Sequence, residues 1–155
     1  MKHALEIGDL CPEFSLEDQF GNLFDFEQIL GKRVIVLFFY PKDNTSGCIK
    51  EVCSFRDQYE VFKELGAEVI GVSSDSVSSH LGFAEKHRLP FTLLSDSKGE
   101  LRKKFGVPKS LFGLIPGRVS YVIGTDRRIK GMFNAMTDPV GHVNYAVNCI
   151  KELND

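Results

Sequence analysis

The most apolar run of the chain covers residues 34–39 and consists of valine, isoleucine, leucine and phenylalanine. Short runs rich in β-branched and aromatic residues are typical of strands buried inside a sheet. Similar runs at 67–73, 90–94 and 118–123 predict three further strands, and residues 128–133 are expected to form a hairpin with the last of these. Together these runs predict a largely buried β-sheet.

Helical spacing of apolar residues appears between and after these strands. A helix is predicted over residues 48–65, where apolar side chains recur every three or four positions. A second helix is expected from the capping residues at 74–76 to about residue 87, a short one over 100–105, and a last one over 138–153. Strands and helices therefore alternate through the middle of the chain.

The start of the chain predicts a separate β-hairpin. Alternating residues at 11–16 and 23–26 flank a turn that contains Gly21 and Asn22. A hairpin, then alternating strands and helices, then a second hairpin and a closing helix indicate an α/β protein with a thioredoxin-like fold and an N-terminal β-hairpin extension. In such a fold a central mixed sheet is flanked by helices. With 155 residues, the chain is expected to form a single domain over 1–155.

Composition and charge narrow the possible functions. The net charge is −2, from 19 basic and 21 acidic residues, and no long block of like charge occurs. These values argue against a nucleic-acid partner or an anionic membrane surface. The first nine residues show no apolar signal core, and no run approaches the length of a membrane span. We therefore expect a cytoplasmic protein or, alternatively, the mature form of a plastid or other organellar protein.

The four cysteines differ in their surroundings. They are too few for a disulfide-rich scaffold. Cys48 follows the turn residues 43–47, so it is expected in the first turn of a helix, where free N–H groups and the helix dipole stabilise a thiolate. Cys149 lies on an apolar helix face and Cys11 precedes a proline, so both are expected to have packing roles. Cys48 is thus the candidate reactive thiol.

Metal and cofactor chemistry is not indicated by the sequence. The four histidines are dispersed along the chain and show no ligand spacing; they are His3, His80, His87 and His142. A zinc site at Cys48 and Cys53 would need a second pair of ligands, which the sequence does not offer. No metal, flavin or haem cofactor is expected.

The residues around Cys48 resemble those of a known family. Pro41-x-x-x-Thr45-x-x-Cys48 matches the active-site signature of the peroxiredoxins, which are thiol peroxidases. The longer string over residues 40–57 is similar to the peroxiredoxin Q branch, also called bacterioferritin comigratory protein. The resemblance covers nearly the whole chain and is densest in this string.

This resemblance implies roles for the residues of the site. Cys48 would be the peroxidatic nucleophile, which attacks a hydroperoxide oxygen and becomes a sulfenic acid. Thr45, at a helix-capping position, would also hydrogen-bond the peroxide and the thiolate, and Pro41 would shield the site from water. The guanidinium of Arg118 would stabilise the thiolate and the leaving oxygen, whereas a solvated strand-edge arginine is the alternative. Glu51 is expected either to orient Arg118 by a bidentate pair or to be solvated.

The resemblance also assigns Cys53 as the resolving cysteine, which would form an intramolecular disulfide with Cys48; a core cysteine is the alternative. Five residues along an ideal helix separate Cα atoms by roughly 8–9 Å and turn the side chains about 140° apart. A disulfide needs Cα atoms less than about 7 Å apart. The helix must therefore unwind locally at each turnover.

The implied activity is the reduction of hydrogen peroxide and organic hydroperoxides in antioxidant defence, with thioredoxin or a similar dithiol as the reductant. A monomer is expected because both cysteines lie on one helix. Two alternatives stay open: a thiol–disulfide oxidoreductase, which normally shows Cys-x-x-Cys, and a peroxide-sensing switch. Apolar residues of the loop 108–117 are expected either in the core or in a patch that faces the substrate or reductant; they are Phe112, Leu114 and Ile115.

Overall fold

The computed structural model describes residues 4–109, 113 and 115–155. Its centre is a seven-stranded sheet in the order β2-β1-β5-β4-β3-β6-β7. The strands are β1 (Ser15–Asp18), β2 (Leu23–Asp25), β3 (Val34–Phe39), β4 (Ala67–Ser73), β5 (Thr92–Ser95), β6 (Val119–Ile123) and β7 (Ile129–Asn134). The predicted N-terminal hairpin is present as β1 and β2, which extend the sheet beyond β5.

Five α-helices accompany the sheet in the described part of the chain: α1 (Ser46–Asp57), α2 (Tyr59–Glu64), α3 (Val77–His87), α4 (Glu100–Phe105) and α5 (Pro139–Leu153). The prediction of one helix over 48–65 is wrong, because the chain leaves the helical conformation at Gln58 (ψ 6°). The apolar spacing does not reveal this break, since Phe55 and Phe62 on either side of it are both buried in the same cluster. None of the described helices combines the length and the apolar character needed to cross a membrane.

The sheet is mixed, as predicted. β3 pairs in parallel with β4 and antiparallel with β6, and β4 pairs in parallel with β5. Side chains of β3 alternate between two hydrophobic clusters, one on each face of the sheet. Phe39 belongs to one cluster and Phe38 to the other, which explains why the apolar run is unbroken rather than alternating.

The segment that contains the candidate site follows directly from this central strand. Tyr40 continues the line of β3, and its backbone N–H donates to the carbonyl of Val72 at 3.0 Å. The loop 41–45 then crosses to α1, which packs beside α5 over one face of the sheet. The N-terminus of α1 is therefore fixed at the end of a central, largely buried strand.

Candidate active site

Cys48 occupies the third position of α1 and is fully buried. The N–H groups of the first turn lack intrahelical partners, and the helix dipole places partial positive charge at this end. Arg118 and Arg102 lie near Cys48, and a negative charge on its sulfur favours the protonated form of both guanidinium groups. The helix start and two guanidinium groups therefore place positive charge near the Cys48 sulfur.

Arg118 is held in one orientation beside Cys48. Its Nε donates to the carbonyl of Met136 at 3.0 Å, and its Nη1 donates to Oε1 of Glu51 at 2.7 Å. Burial lowers the pKa of Arg118, but the charges of Glu51 and Cys48 outweigh burial and raise it above its usual value. The structure thus brings Arg118 and Glu51 together with Cys48, although 67 residues separate Glu51 from Arg118 along the chain.

The predicted bidentate pair between Glu51 and Arg118 is not formed. Only Oε1 of Glu51 accepts a hydrogen bond, while Oε2 is buried without one and lies 3.6 Å from Nδ1 of His142. The imidazole of His142 is already occupied: Nδ1 lies 2.8 Å from Oγ of Ser120, and Nε2 lies 2.7 Å from the carbonyl of Ala135.

Burial dominates the protonation of both groups beside Arg118. It lowers the pKa of His142 to about 4, so this imidazole is neutral at neutral pH. It also raises the pKa of the Glu51 carboxyl to about 8, and the guanidinium of Arg118 limits that rise. Sequence reasoning did not place His142 at the site, because its position depends on how α5 packs against β6.

Arg102 is a second cation of the site that sequence reasoning missed. Its Nη1 donates to the carbonyl of Gly117 at 3.0 Å and its Nη2 to the carbonyl of Tyr40 at 3.1 Å. The guanidinium also lies 5.5 Å from the ring centroid of Phe39. In the sequence Arg102 is one of three adjacent basic residues on α4, and nothing there distinguishes it from a solvated charge. It ties the end of β3 to the segment that leads into Arg118.

Thr45 differs from its predicted capping role. It stands at the N-cap of α1, but its side chain makes no capping hydrogen bond. Instead the hydroxyl donates to the carbonyl of Lys42 at 2.8 Å, which closes the loop on itself. The side chain is exposed, while Pro41 is half-buried. The first turn of α1 therefore starts without the side-chain acceptor that usually stabilises a helix.

A buried polar network fixes the loop before Thr45. Asp43 accepts hydrogen bonds through both carboxylate oxygens: Oδ1 from the Tyr40 hydroxyl at 2.6 Å and Oδ2 from the Ser79 hydroxyl at 2.9 Å. Nδ1 of His80 lies 2.7 Å from the same Oδ2. These contacts join the active-site loop to α3, so the loop does not depend on the cap of α1 for its position.

The same network contains the residue types that ligate metals. Asp43, Asp75 and His80 place one possible ligand atom each within 4.8 Å of one another. The expectation that the histidines are dispersed is therefore corrected for His80. However, Oδ2 of Asp75 accepts from Ser73 and from the backbone N–H of Asp43, and Nε2 of His80 faces the carbonyl of Leu94. These groups satisfy one another, which is the behaviour of a structural network.

The other cysteines have different environments. Cys53 lies half-buried on α1, with its Sγ 3.8 Å from Nδ1 of His87. Cys11 is buried in one core cluster, and burial raises the pKa of its thiol to about 12. Burial also raises the pKa of Cys149, which packs against the other cluster. All four are free thiols, and the two with raised pKa values are the ones for which packing roles are expected.

The apolar loop is described only in part. Phe112 and Leu114, which the sequence places in the core or in a surface patch, lie outside the described residues. Ile115 is described and is half-buried. The backbone of Gly117 and the side chain of Arg118 connect the end of this loop to the site through Arg102 and Glu51.

Substituting Gly47 tests how firmly Arg118 is held. A Cβ atom at Gly47 would lie 2.9 Å from Nη2 of Arg118, whose other nitrogens are bonded to Met136 and Glu51. Because the guanidinium cannot move away freely, we expect Gly47→Ala to slow peroxide oxidation of Cys48 by about tenfold. Competition kinetics with hydrogen peroxide would measure this rate.

Gly82→Ala is the matched control, since a Cβ at this helical glycine meets nothing within 4 Å. It should leave the oxidation rate unchanged. A wild-type rate in the Gly47 variant would mean that the position of Arg118 is not critical.

Comparisons with known proteins identify a matching family and several similar proteins. A sequence profile described as the AhpC/TSA family matches residues 7–132. The protein "Peroxiredoxin Q, chloroplastic" of Triticum aestivum is 46% identical over 94% of this chain and 67% of its own length. The corresponding protein of Sedum lineare is 44% identical over 94% of this chain and 78% of its own length.

Solved structures are similar over almost their whole length. The peroxidoxin BcpB of Mycobacterium tuberculosis superposes with a TM-score of 0.89 at 34% identity, and covers 97% of this chain and 99% of its own. A variant of PrxQ from Xylella fastidiosa gives a TM-score of 0.87 at 29% identity, over 99% of this chain and 100% of its own.

Proposed function

The chain belongs to the AhpC/TSA family, in its peroxiredoxin Q branch, and we propose that it reduces hydroperoxides with Cys48 as the attacking thiolate. It is a thiol peroxidase, and its relatives are named peroxiredoxins. The observation that carries the assignment of the nucleophile is the buried position of Cys48 at the start of α1, next to the fixed guanidinium of Arg118. No other cysteine of the chain combines these features, since Cys11, Cys53 and Cys149 lie elsewhere in the described structure.

In the first step, the Cys48 thiolate attacks one oxygen of the peroxide. The S–O bond forms while the O–O bond breaks, so sulfur is oxidised to a sulfenic acid and the departing oxygen leaves as water or an alcohol after it gains a proton. Negative charge moves from sulfur to the departing oxygen during this step. Arg118 stabilises that charge, and Arg102 adds a second positive charge near Cys48.

In the second step, Cys53 resolves the sulfenic acid. Its sulfur attacks Sγ of Cys48, the disulfide forms, and water leaves. The two thiols are free and on one helix, so α1 must open before the sulfurs meet. The missing side-chain cap at Thr45 supports opening from the N-terminal end.

The reductant, the assembly state and the location follow from the same proposal. A dithiol such as thioredoxin returns the disulfide to two thiols. Both cysteines come from one helix, so a monomer over 1–155 suffices as the catalytic unit. A cytoplasmic location is the first expectation, and the plant relatives named chloroplastic favour the plastid alternative.

Mass spectrometry and turnover test the function together. One equivalent of hydrogen peroxide should lower the intact mass by about 2 Da, because a disulfide has two hydrogens fewer than two thiols. With thioredoxin, its reductase and a nicotinamide electron donor present, peroxide consumption should continue for many equivalents. A protein that is oxidised once and that no dithiol recycles would contradict the enzyme and favour the sensing switch.

A further inference from the structure

The resolving cysteine has a histidine beside it. Nδ1 of His87, the last residue of α3, lies 3.8 Å from Sγ of Cys53, within the range of a thiol–imidazole hydrogen bond. The other ring nitrogen, Nε2, is buried and has no hydrogen-bond partner. The ring of Phe83 packs edge-on against the imidazole, with the centroids 5.0 Å apart. The imidazole is therefore positioned by packing, and among the described residues the Cys53 thiol is the side chain within hydrogen-bond distance of it.

The part of α1 that carries Cys53 is the firmly held part. Nη1 of Arg56 donates to the backbone carbonyl of His87 at 2.8 Å, which ties this half of α1 to the end of α3. Val52 and Phe55 on the same half are fully buried. The first turn, by contrast, has no side-chain cap at Thr45. Opening from the first turn would move Cys48 toward Cys53 and leave Cys53 in contact with His87.

Burial and the charged groups around His87 favour the neutral, basic form of its imidazole. Burial lowers the pKa of His87, and the nearby cations Lys86 on α3 and Arg56 on α1 lower it further. Arg56 is itself paired with Asp57, with an N–O distance of 3.0 Å. A neutral imidazole has one nitrogen with a free lone pair, and with the proton on Nε2 that nitrogen is Nδ1, which faces the thiol.

We propose that His87 is the general base of the resolving step, which accepts the proton of Cys53 as its sulfur attacks the sulfenic acid of Cys48. The S–S bond forms and the S–O bond of the sulfenic acid breaks. The departing hydroxide takes the proton from the imidazolium and leaves as water, so no further reactant is required. This role rests on the proposed function of Cys53 as the resolving cysteine.

A base beside Cys53 would supply the thiolate that the resolving step requires. The thiolate is the attacking species, and an ordinary cysteine holds only a few per cent of it at pH 7. Cys53 lies in the second turn of α1 and lacks the helix start and the two arginines that serve Cys48. General bases typically accelerate such steps by about 10²–10⁴-fold.

Replacing His87 with phenylalanine tests the proposal, since it keeps an aromatic ring against Phe83 and removes the base. After one equivalent of peroxide, quenched-flow sampling with a sulfenic-acid trap separates oxidation of Cys48 from disulfide formation. We expect His87→Phe to slow disulfide formation at pH 7 by about tenfold or more, with the oxidation rate unchanged. The acid limb that the imidazole contributes to the pH profile of disulfide formation should disappear, and added imidazole should partly restore the rate.

A second variant leaves His87 in place. Lys86 is exposed, and Lys86→Gln removes one of the cations that disfavour protonation of the imidazole. We expect the acid limb of the pH profile for disulfide formation to move up by roughly 0.3 of a pH unit, with no change at high pH. This measurement remains decisive even if His87→Phe folds poorly.

Two results overturn different statements. Wild-type rates and pH profiles of disulfide formation in His87→Phe, or an unmoved acid limb in Lys86→Gln, would remove His87 from the mechanism and leave Cys53 in place. A 2 Da mass loss that survives Cys53→Ser would instead remove Cys53, and with it the basis of the proposal.

Discussion

Peroxide consumption should fall by at least about 10³-fold when Cys48 is replaced by serine, because a hydroxyl is neither ionised near neutral pH nor able to form a sulfenic acid. The loss should appear in both hydrogen peroxide and alkyl hydroperoxide assays with a thioredoxin system. Serine is close to isosteric with cysteine, so the fold should survive. Circular dichroism would verify this.

Cys53→Ser and Cys149→Ser serve as controls with different expectations. The Cys53 variant should still be oxidised once, gain about 16 Da as a sulfenic acid, and then fail to recycle with a protein dithiol. The Cys149 variant should behave like the wild type, because that thiol lies on α5 against Gly131 of β7 rather than at the start of α1. Residual turnover in Cys48→Ser above the uncatalysed reaction would refute the assignment of the nucleophile.

Arg118→Met should slow the reaction of Cys48 with peroxide by about 10²- to 10³-fold, the range found when a fixed donor to a developing negative charge is removed. Methionine keeps much of the apolar stem of arginine and deletes the guanidinium that faces Glu51 and Cys48. The second-order rate constant from competition kinetics measures the effect. Disulfide formation after oxidation should be far less affected, because it does not involve a departing peroxide oxygen.

Removing Arg118 also leaves Glu51 without its one hydrogen-bond donor in a fully buried site. A buried polar group left without its partner costs about 1–3 kcal/mol, so stability must be measured alongside activity. Arg118→Met combined with Glu51→Gln separates the two effects, because it replaces the isolated carboxyl with an amide of similar shape. Arg33→Met is the surface control, since that side chain is 59% exposed. An Arg118 variant that reacts at the wild-type rate would exclude the guanidinium from the first step.

The order of elements was predictable because apolar runs and helical spacing reflect burial directly. The strands β3 and β4 match the runs at 34–39 and 67–73. Two strands begin later than predicted. β5 begins at Thr92 rather than at Pro90, and β6 begins at Val119 rather than at Arg118, which belongs to the candidate site. The break at Gln58 was missed because helical periodicity continues across it.

Only those residues of the candidate site that belong to a recognisable motif could be predicted from the sequence. Cys48 and Arg118 stand in recognisable strings, and the structure places them together. Arg102 and His142 belong to the site through long-range packing that no local pattern records. Thr45 shows that a motif can also mislead. Its position at the N-cap was predicted, but its hydroxyl donates to a loop carbonyl instead of accepting from the helix.

In the proposed cycle both thiols of the disulfide come from one helix, so the stability of α1 contributes to the reduction potential of that disulfide. The oxidised protein must keep the first turns open, whereas the reduced protein regains them. Re-forming the helix therefore adds to the driving force for reduction and makes the disulfide easier for a donor to reduce. For a two-electron couple, about 1.4 kcal/mol corresponds to about 30 mV. Substitutions in the first turn that strengthen or weaken the helix would thus change the reduction potential of the disulfide without altering either cysteine.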